Sequence, residues 1–148
     1  MQVTFVVDPK LVLNVINFLM GIYKIRVNTK FELNPNSKIR AVYYPRTNTI
    51  TFINPIETTP YHEYGHAVYH NLRLGYKSDS ETFAQRFSTM WLTLNKTGFR
   101  CIKCGSQAFI PARPRGSKNF YDIWLICLNC GQTYRLQEPD KVVRHHNP

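Results

Sequence analysis

The sequence predicts an α+β protein in which a mixed region of helices and strands precedes a small cysteine-rich module. In the first region, short β-branched and aromatic runs alternate with stretches whose apolar residues recur three and four positions apart. Near Gly98 this helical periodicity stops, and four cysteines follow as two C-x-x-C pairs. We therefore place domains at 1–96 and 97–136, followed by a polar, loose tail at 137–148.

Composition limits the class of protein and its partners. Of the 148 residues, 43% are hydrophobic and 14% aromatic, which is enough for a packed core and argues against global disorder. The net charge of +10 favours polyanionic partners, with nucleic acid first and an anionic membrane second, although it also serves general solubility. No signal peptide or membrane span is evident, so we expect a cytoplasmic protein without membrane association.

The elements expected before residue 55 form a small mixed or antiparallel sheet with one helix. Asp8-Pro9 is typical of a helix start, and Gly21 is expected to end that helix after Met20. The strands are expected, in order, at Val3–Val7, within Ile25–Leu33, at Ile39–Tyr44 and at Thr49–Ile53, the last two forming a hairpin around Pro45-Arg46-Thr47-Asn48.

The stretch Tyr61-His62-Glu63-Tyr64-Gly65-His66 reads H-E-x-x-H, the pattern of a zinc hydrolase helix. Residues four apart lie on one face of a helix, so His62 and His66 can bind one Zn²⁺ while Glu63 acts as general base. Thr59 is the expected N-cap of this helix, with Pro60 after it, and we expect the helix to end before Gly75. An incidental pair of surface histidines is the simpler alternative.

A catalytic zinc needs a third protein ligand. His70 continues the same face, but on a straight helix it lies about 12 Å of rise from His62, too far for one ion. Glu81 opens the next helix, which is expected over Asp79–Leu94 and can fold back to complete a His₂Glu site. Glu81 can instead be the acidic member of a capping box with Ser78, and the shorter Asp79 is the second candidate ligand.

The cysteines lie in two C-x-x-C-G knuckles, Cys101/Cys104 and Cys127/Cys130. This spacing predicts a structural Cys₄ zinc site, a zinc ribbon, more strongly than it predicts a redox pair. Between the knuckles, a proline-rich loop carries three cations and is followed by Phe120, Tyr121 and Trp124. Such a loop can bind DNA or another nucleic acid, or it can merely be solvated above a small aromatic core. The three candidate nucleic-acid-binding cations are Arg113, Arg115 and Lys118.

The segment from Thr59 to His66, with Ser80-Glu81-Thr82-Phe83-Ala84 after it, resembles small gluzincin metallopeptidases. It is similar to the minigluzincins and to the peptidase domains of the ImmA/IrrE group, over roughly residues 1–96. The resemblance implies a zincin-like fold with an active-site helix and a glutamate helix. The combination with a zinc ribbon is also similar in architecture to SprT-like proteins, which act on DNA-bound proteins but use a third histidine as ligand.

These observations together predict a zinc metallopeptidase with one catalytic and one structural Zn²⁺, acting on protein or peptide substrates. The ribbon would recruit it to nucleic acid or to nucleic-acid-bound proteins. The alternatives are a nucleic-acid-binding or regulatory protein whose zincin domain does not cleave, and a ribbon that binds only protein. The strand Thr49–Ile53, if it is an edge strand, could align the substrate. Tyr43, Tyr44 and His70 are candidate oxyanion donors.

Overall fold

A computed structural model describes residues 7–74, 79–112, 123–138 and 141–144. The chain divides into two compact units, Met1–Ala84 and Gln85–Pro148. Because both contain helix and strand residues, the α+β prediction is confirmed at this level. The division falls inside a helix, and the domain boundaries at 96/97 and 136/137 stay predictions. Across the described ranges, no helix is both long enough and apolar enough to cross a membrane.

The first helix, α1, spans Pro9–Tyr23 and is one turn longer than expected. The Asp8 carboxylate accepts a hydrogen bond from the Lys10 amide at 2.9 Å, as its predicted capping role requires. Gly21 does not end the helix; Lys24, at φ 60°, does. The buried ring of Tyr23 lies 5.9 Å from that of Tyr64, and this packing explains why the helix continues past the glycine.

A three-stranded mixed sheet follows, with strands β1 (Asn28–Phe31), β2 (Ala41–Tyr44) and β3 (Thr49–Phe52) in the order β1-β3-β2. The predicted hairpin is confirmed, since β2 pairs antiparallel with β3, while β1 pairs parallel with it. All four residues of β3 are buried, as expected of a central strand. Thr49–Ile53 therefore does not meet the condition of an edge position that was set for aligning a substrate. Among the described residues, β1 and β2 are the outer strands of this sheet. The strand predicted at Val3–Val7 lies almost wholly outside the described residues.

Helix α2 spans Thr59–Asn71 and buries one face in the core of the first unit. Tyr64, Ala67 and Val68 are fully buried, and the Tyr64 hydroxyl donates to the carbonyl oxygen of Ile25 at 2.6 Å. Thr59 is not the N-cap as predicted. It is the first helical residue, and its hydroxyl accepts from the Ile56 amide. The helix ends before Gly75 as expected, although Gly75 itself lies outside the described residues.

Helix α3 spans Ser80–Thr97. Its start is capped by Asp79, whose carboxylate accepts from the Thr82 amide at 2.8 Å. Ser78, the other member of the capping box predicted with Glu81, lies outside the described residues. Apolar residues recur three and four positions apart along α3 and form an apolar stripe. All of its members are buried in the core: Phe83, Phe87, Met90, Trp91 and Leu94.

The second unit holds an antiparallel sheet in the order β4-β5-β6-β7. Its strands are β4 (Phe109–Ala112), β5 (Ile123–Cys127), β6 (Thr133–Glu138) and β7 (Lys141–Arg144). Along β5 buried and half-buried residues alternate, as expected for a sheet with one face in a core. Strand β7 lies within the stretch expected to be a loose tail. The β-branched pair Val142-Val143 supplies strand propensity that the polar surroundings obscured.

We predict that Tyr64→Phe lowers the free energy of unfolding by about 1–2 kcal/mol, because the Ile25 carbonyl loses its donor inside the packed unit. Urea denaturation of both proteins in the same buffer measures the difference. Tyr44→Phe is the matched control, because Tyr44 is exposed on β2 and its change should stay within about 0.5 kcal/mol. Equal effects of the two substitutions would contradict this role of the Tyr64 hydroxyl.

Candidate metal centres

Helix α2 brings His62 and His66 to one face, as their spacing predicts. Their rings lie edge to face with centroids 5.0 Å apart. Both are half-buried, so their nitrogens remain reachable from solvent while the rings are held by the helix. Two imidazoles in this arrangement supply two of the three protein ligands that a catalytic zinc needs.

The start of α3 supplies a carboxylate to both histidines. One oxygen of Glu81 lies 3.0 Å from Nε2 of His62, and the other lies 3.0 Å from Nε2 of His66. Tetrahedral zinc with ligand bonds of about 2.0–2.1 Å separates its ligand atoms by about 3.3 Å. The three side chains are therefore close to the spacing that one zinc ion requires.

The alternative ligands are placed elsewhere. One carboxylate oxygen of Asp79 accepts the hydrogen bond that caps α3, which is the role expected of the shorter side chain. His70 lies one turn beyond His66 and stacks on Tyr43, with ring centroids 5.7 Å apart. Of the three candidates considered for the third position, Glu81 is the one seen in contact with Nε2 of both histidines.

Glu63 is buried next to these histidines. One of its carboxylate oxygens lies within 4.8 Å of a ring nitrogen of His62 and of a ring nitrogen of His66. Burial, and to a lesser degree the negative charge of Glu81, raises the pKa of Glu63 to about 7. A bound dication would act in the opposite direction. Glu63 is thus close enough to the histidines either to be a ligand or to exchange protons with a water bound at the site.

The charge state of His66 favours metal binding. Burial and the neighbouring His62 lower the pKa of His66, against the opposing effect of Glu81. A lowered pKa keeps the imidazole neutral at neutral pH, and neutral imidazole is the form that binds zinc. The Nδ1 atom of the same ring lies 2.6 Å from the Ser80 hydroxyl oxygen.

These side chains open into a pocket of about 550 Å³ within the first unit. Its lining comes from three elements: Ala41, Val42 and Tyr43 of β2; Glu63, His66 and His70 of α2; and Asp79, Ser80 and Glu81 at the start of α3. The pocket therefore joins the histidine face of α2 to a sheet strand, and in the described part of the chain that strand pairs only with β3.

A polar network that the sequence did not reveal anchors Tyr43 beside the site. The Tyr43 hydroxyl donates to the side-chain oxygen of Asn48 at 2.7 Å, and Asn71 at the end of α2 donates to the same oxygen at 3.0 Å. The Tyr43 ring stacks nearly parallel to that of His66, with centroids 6.5 Å apart. Because its hydroxyl proton is committed to Asn48, Tyr43 is a poor candidate for the oxyanion donor.

The four cysteines of the second unit also converge. The sulfur atoms of Cys101 and Cys130 lie 3.5 Å apart, as do those of Cys104 and Cys127. These separations exclude disulfides, whose sulfurs lie about 2.05 Å apart. They are near the edge of about 3.8 Å expected for a tetrahedron of sulfurs around zinc. The Cys₄ cluster therefore has the donor set and spacing of a structural zinc site.

The two knuckles share one backbone design. In each, the glycine after the second cysteine has positive φ and donates to the carbonyl of the first cysteine, at 2.7 Å for Gly105 and 2.8 Å for Gly131. Glycine adopts this conformation without steric cost, which explains its place after each pair. Two like turns then present four sulfurs from opposite sides.

A buried tyrosine that sequence reasoning missed supports the first knuckle. The Tyr134 hydroxyl lies 3.3 Å from the sulfur of Cys101 and accepts from the amide of Ile102 at 2.9 Å. Burial raises the pKa of Cys101, but hydrogen bonds from Tyr134 and from backbone amides outweigh it and lower that pKa to about 6. A thiol that ionises readily is prepared for a metal. No sequence spacing singles out Tyr134, because only the tertiary structure brings it next to Cys101.

Comparisons with protein-family models, with curated proteins and with solved structures each give no match to this chain. The assignment of the two candidate metal centres therefore rests on their geometry alone. The predicted nucleic-acid-binding residues Arg113, Arg115 and Lys118 lie outside the described residues, as do Phe120 and Tyr121. Trp124 is described, on β5, and is half-buried there.

We predict that Glu81→Ala weakens zinc binding at the histidine site by more than about 100-fold, since it would remove the expected third ligand rather than an outer partner. The matched variant Asp79→Ala should keep the metal and cost only about 1 kcal/mol through loss of the α3 cap. Competition with a chromophoric chelator measures both affinities, with the Cys₄ site as internal standard. Loss of zinc in Asp79→Ala with retention in Glu81→Ala would show that the ligand is the other carboxylate.

Proposed function

We propose that the chain is a zinc-dependent metallopeptidase of the gluzincin type, with His62, His66 and Glu81 as metal ligands. The observation that carries this proposal is the Glu81 carboxylate, which places one oxygen 3.0 Å from Nε2 of each histidine. Glu81 is assigned as ligand because it touches both nitrogens. Glu63, which is buried and has a raised pKa, is assigned as general base.

In this site, bound Zn²⁺ would polarise the scissile carbonyl and acidify a water. The chain's own part is proton transfer and positioning. Glu63 accepts a proton from the attacking water and delivers it to the leaving amine. Its burial next to His62 and His66 places the carboxylate within reach of a water that the metal would hold.

Strand β2 is the element best placed to align a peptide. The Ile53 amide donates to the carbonyl of Arg40, so these opposite residues form a hydrogen-bonded pair. Bonded and non-bonded pairs alternate along an antiparallel ladder, which turns the N–H and C=O groups of Ala41 and Tyr43 away from β3. Both residues line the pocket, so an extended substrate can add to the sheet beside the histidines.

We predict that Glu63→Gln keeps both metals and lowers peptide cleavage by about 10²–10⁴-fold, because the isosteric amide cannot accept the proton. An unfolded protein such as casein and a mixed quenched-fluorescent peptide library are suitable substrates. A Glu63→Gln chain that holds its zinc and cleaves at the wild-type rate would contradict the mechanism. A wild-type chain that is fully zinc-loaded and cleaves neither substrate would favour the non-cleaving alternative.

We further propose that the Cys₄ ribbon recruits the peptidase to nucleic acid. Support comes from the net charge of +10 and from the cation-rich loop between the knuckles. Cations close together in the sequence, with aromatic residues after them, suit an extended polyanion whose bases can stack on the rings.

We predict that DNA binding by the full chain falls with salt, and that neutralising the loop cations shrinks the slope of log affinity against log salt. The change is up to about 2.7 for three lost phosphate contacts on duplex DNA. The test variant carries Arg113→Gln, Arg115→Gln and Lys118→Gln. The control neutralises three exposed lysines of the first unit, Lys10, Lys30 and Lys38, and should change the slope less. Equal slopes in the wild type and the loop variant would overturn recruitment through this loop.

A further inference from the structure

Ser80, the first residue of α3, contacts His66 at Nδ1, the ring nitrogen that Glu81 does not contact. Its hydroxyl oxygen lies 2.6 Å from Nδ1 of His66, while Glu81, the next residue, lies 3.0 Å from Nε2 of the same ring. Ser80 and Glu81, consecutive residues at the start of α3, thus each contact one of the two nitrogens of the His66 ring.

The Nδ1 contact matters because an imidazole has two nitrogens and only one can face the metal. In a neutral ring, one nitrogen carries the proton and the other offers its lone pair. A serine hydroxyl at Nδ1 can donate or accept, so it would accept from Nδ1–H when Nε2 binds a metal.

Packing alone does not select that orientation. The Tyr43 ring lies within 5° of parallel to His66 and limits the tilt of the imidazole. A half-turn of the imidazole about its bond to Cβ leaves the ring plane unchanged, yet it exchanges Nδ1 and Nε2 for carbon atoms. Stacking on Tyr43 therefore sets the plane, whereas the Ser80 hydroxyl distinguishes between the two orientations within that plane.

We propose that Ser80 is a positioning residue for the metal centre, holding the His66 ring with Nε2 toward the ion and accepting from Nδ1–H when the ion is bound. The inference deepens the proposed zinc site and rests on it. Because Ser80 and Glu81 are adjacent, the start of α3 supplies the ligand Glu81 and also orients the ligand His66 of α2. Ser80 would not itself be a ligand of the metal.

Replacement of Ser80 by alanine in the full chain tests the inference. Zinc affinity at the histidine site should fall by about 10–100-fold, the usual effect of losing an outer partner of a metal ligand. Ser80→Thr retains the hydroxyl and should restore affinity to within a few-fold of wild type. Ser88→Ala removes a hydroxyl from the same helix away from the site and should leave affinity unchanged. Loading of the Cys₄ site shows in each variant that the chain is folded.

The tautomer provides a second readout that a purely structural role would not change. In ¹⁵N-detected imidazole spectra of the zinc-loaded wild type, His66 should show a slowly exchanging proton on Nδ1, and Ser80→Ala should speed its exchange. Unchanged affinity and unchanged exchange in Ser80→Ala, with a loaded wild type, would overturn this inference alone. A wild-type chain that does not load the histidine site would overturn the proposed function and this inference with it.

Discussion

The contact on which the first unit's chemistry depends is the approach of Glu81 to both Nε2 atoms of His62 and His66. The two histidines belong to one helix and need no tertiary structure to lie on one face. The carboxylate belongs to another helix, so it can reach them only if α3 begins at the right place and in the right orientation. Asp79 sets that beginning, because capping by its side chain fixes where the helix starts and leaves Glu81 one position inside it.

The rest of the first unit supports this meeting of two helices. Tyr64 ties α2 to the chain just after α1 through its bond to Ile25, and Asn71 ties the other end of α2 to the β2–β3 turn through Asn48. Asn48 adopts a positive φ of 51°, which asparagine tolerates better than most residues. These anchors hold α2 beside β2, so the histidine face and the open strand edge border the same pocket.

Sequence reasoning captured the parts of this structure that depend on local pattern. The H-E-x-x-H helix, the β2–β3 hairpin and the buried stripe of α3 follow from spacing that is visible in the chain. It failed where tertiary contacts decide. Helix α1 passes Gly21 because Tyr23 packs on Tyr64, and β3 is a central strand because β1 and β2 pair with its two sides. Ser80, Asn48 and Tyr134 gave no signal, because single polar residues acquire such roles only from what the fold places beside them.

The central proposal is that the chain holds two separate zinc sites, and metal analysis of the purified protein tests it most directly. We expect two zinc ions per chain, falling to one when His66→Ala and Glu81→Ala are combined, and falling to one by loss of the other site when Cys101→Ser and Cys130→Ser are combined. A wild-type content of one, unaffected by the histidine-site variant, would contradict the account.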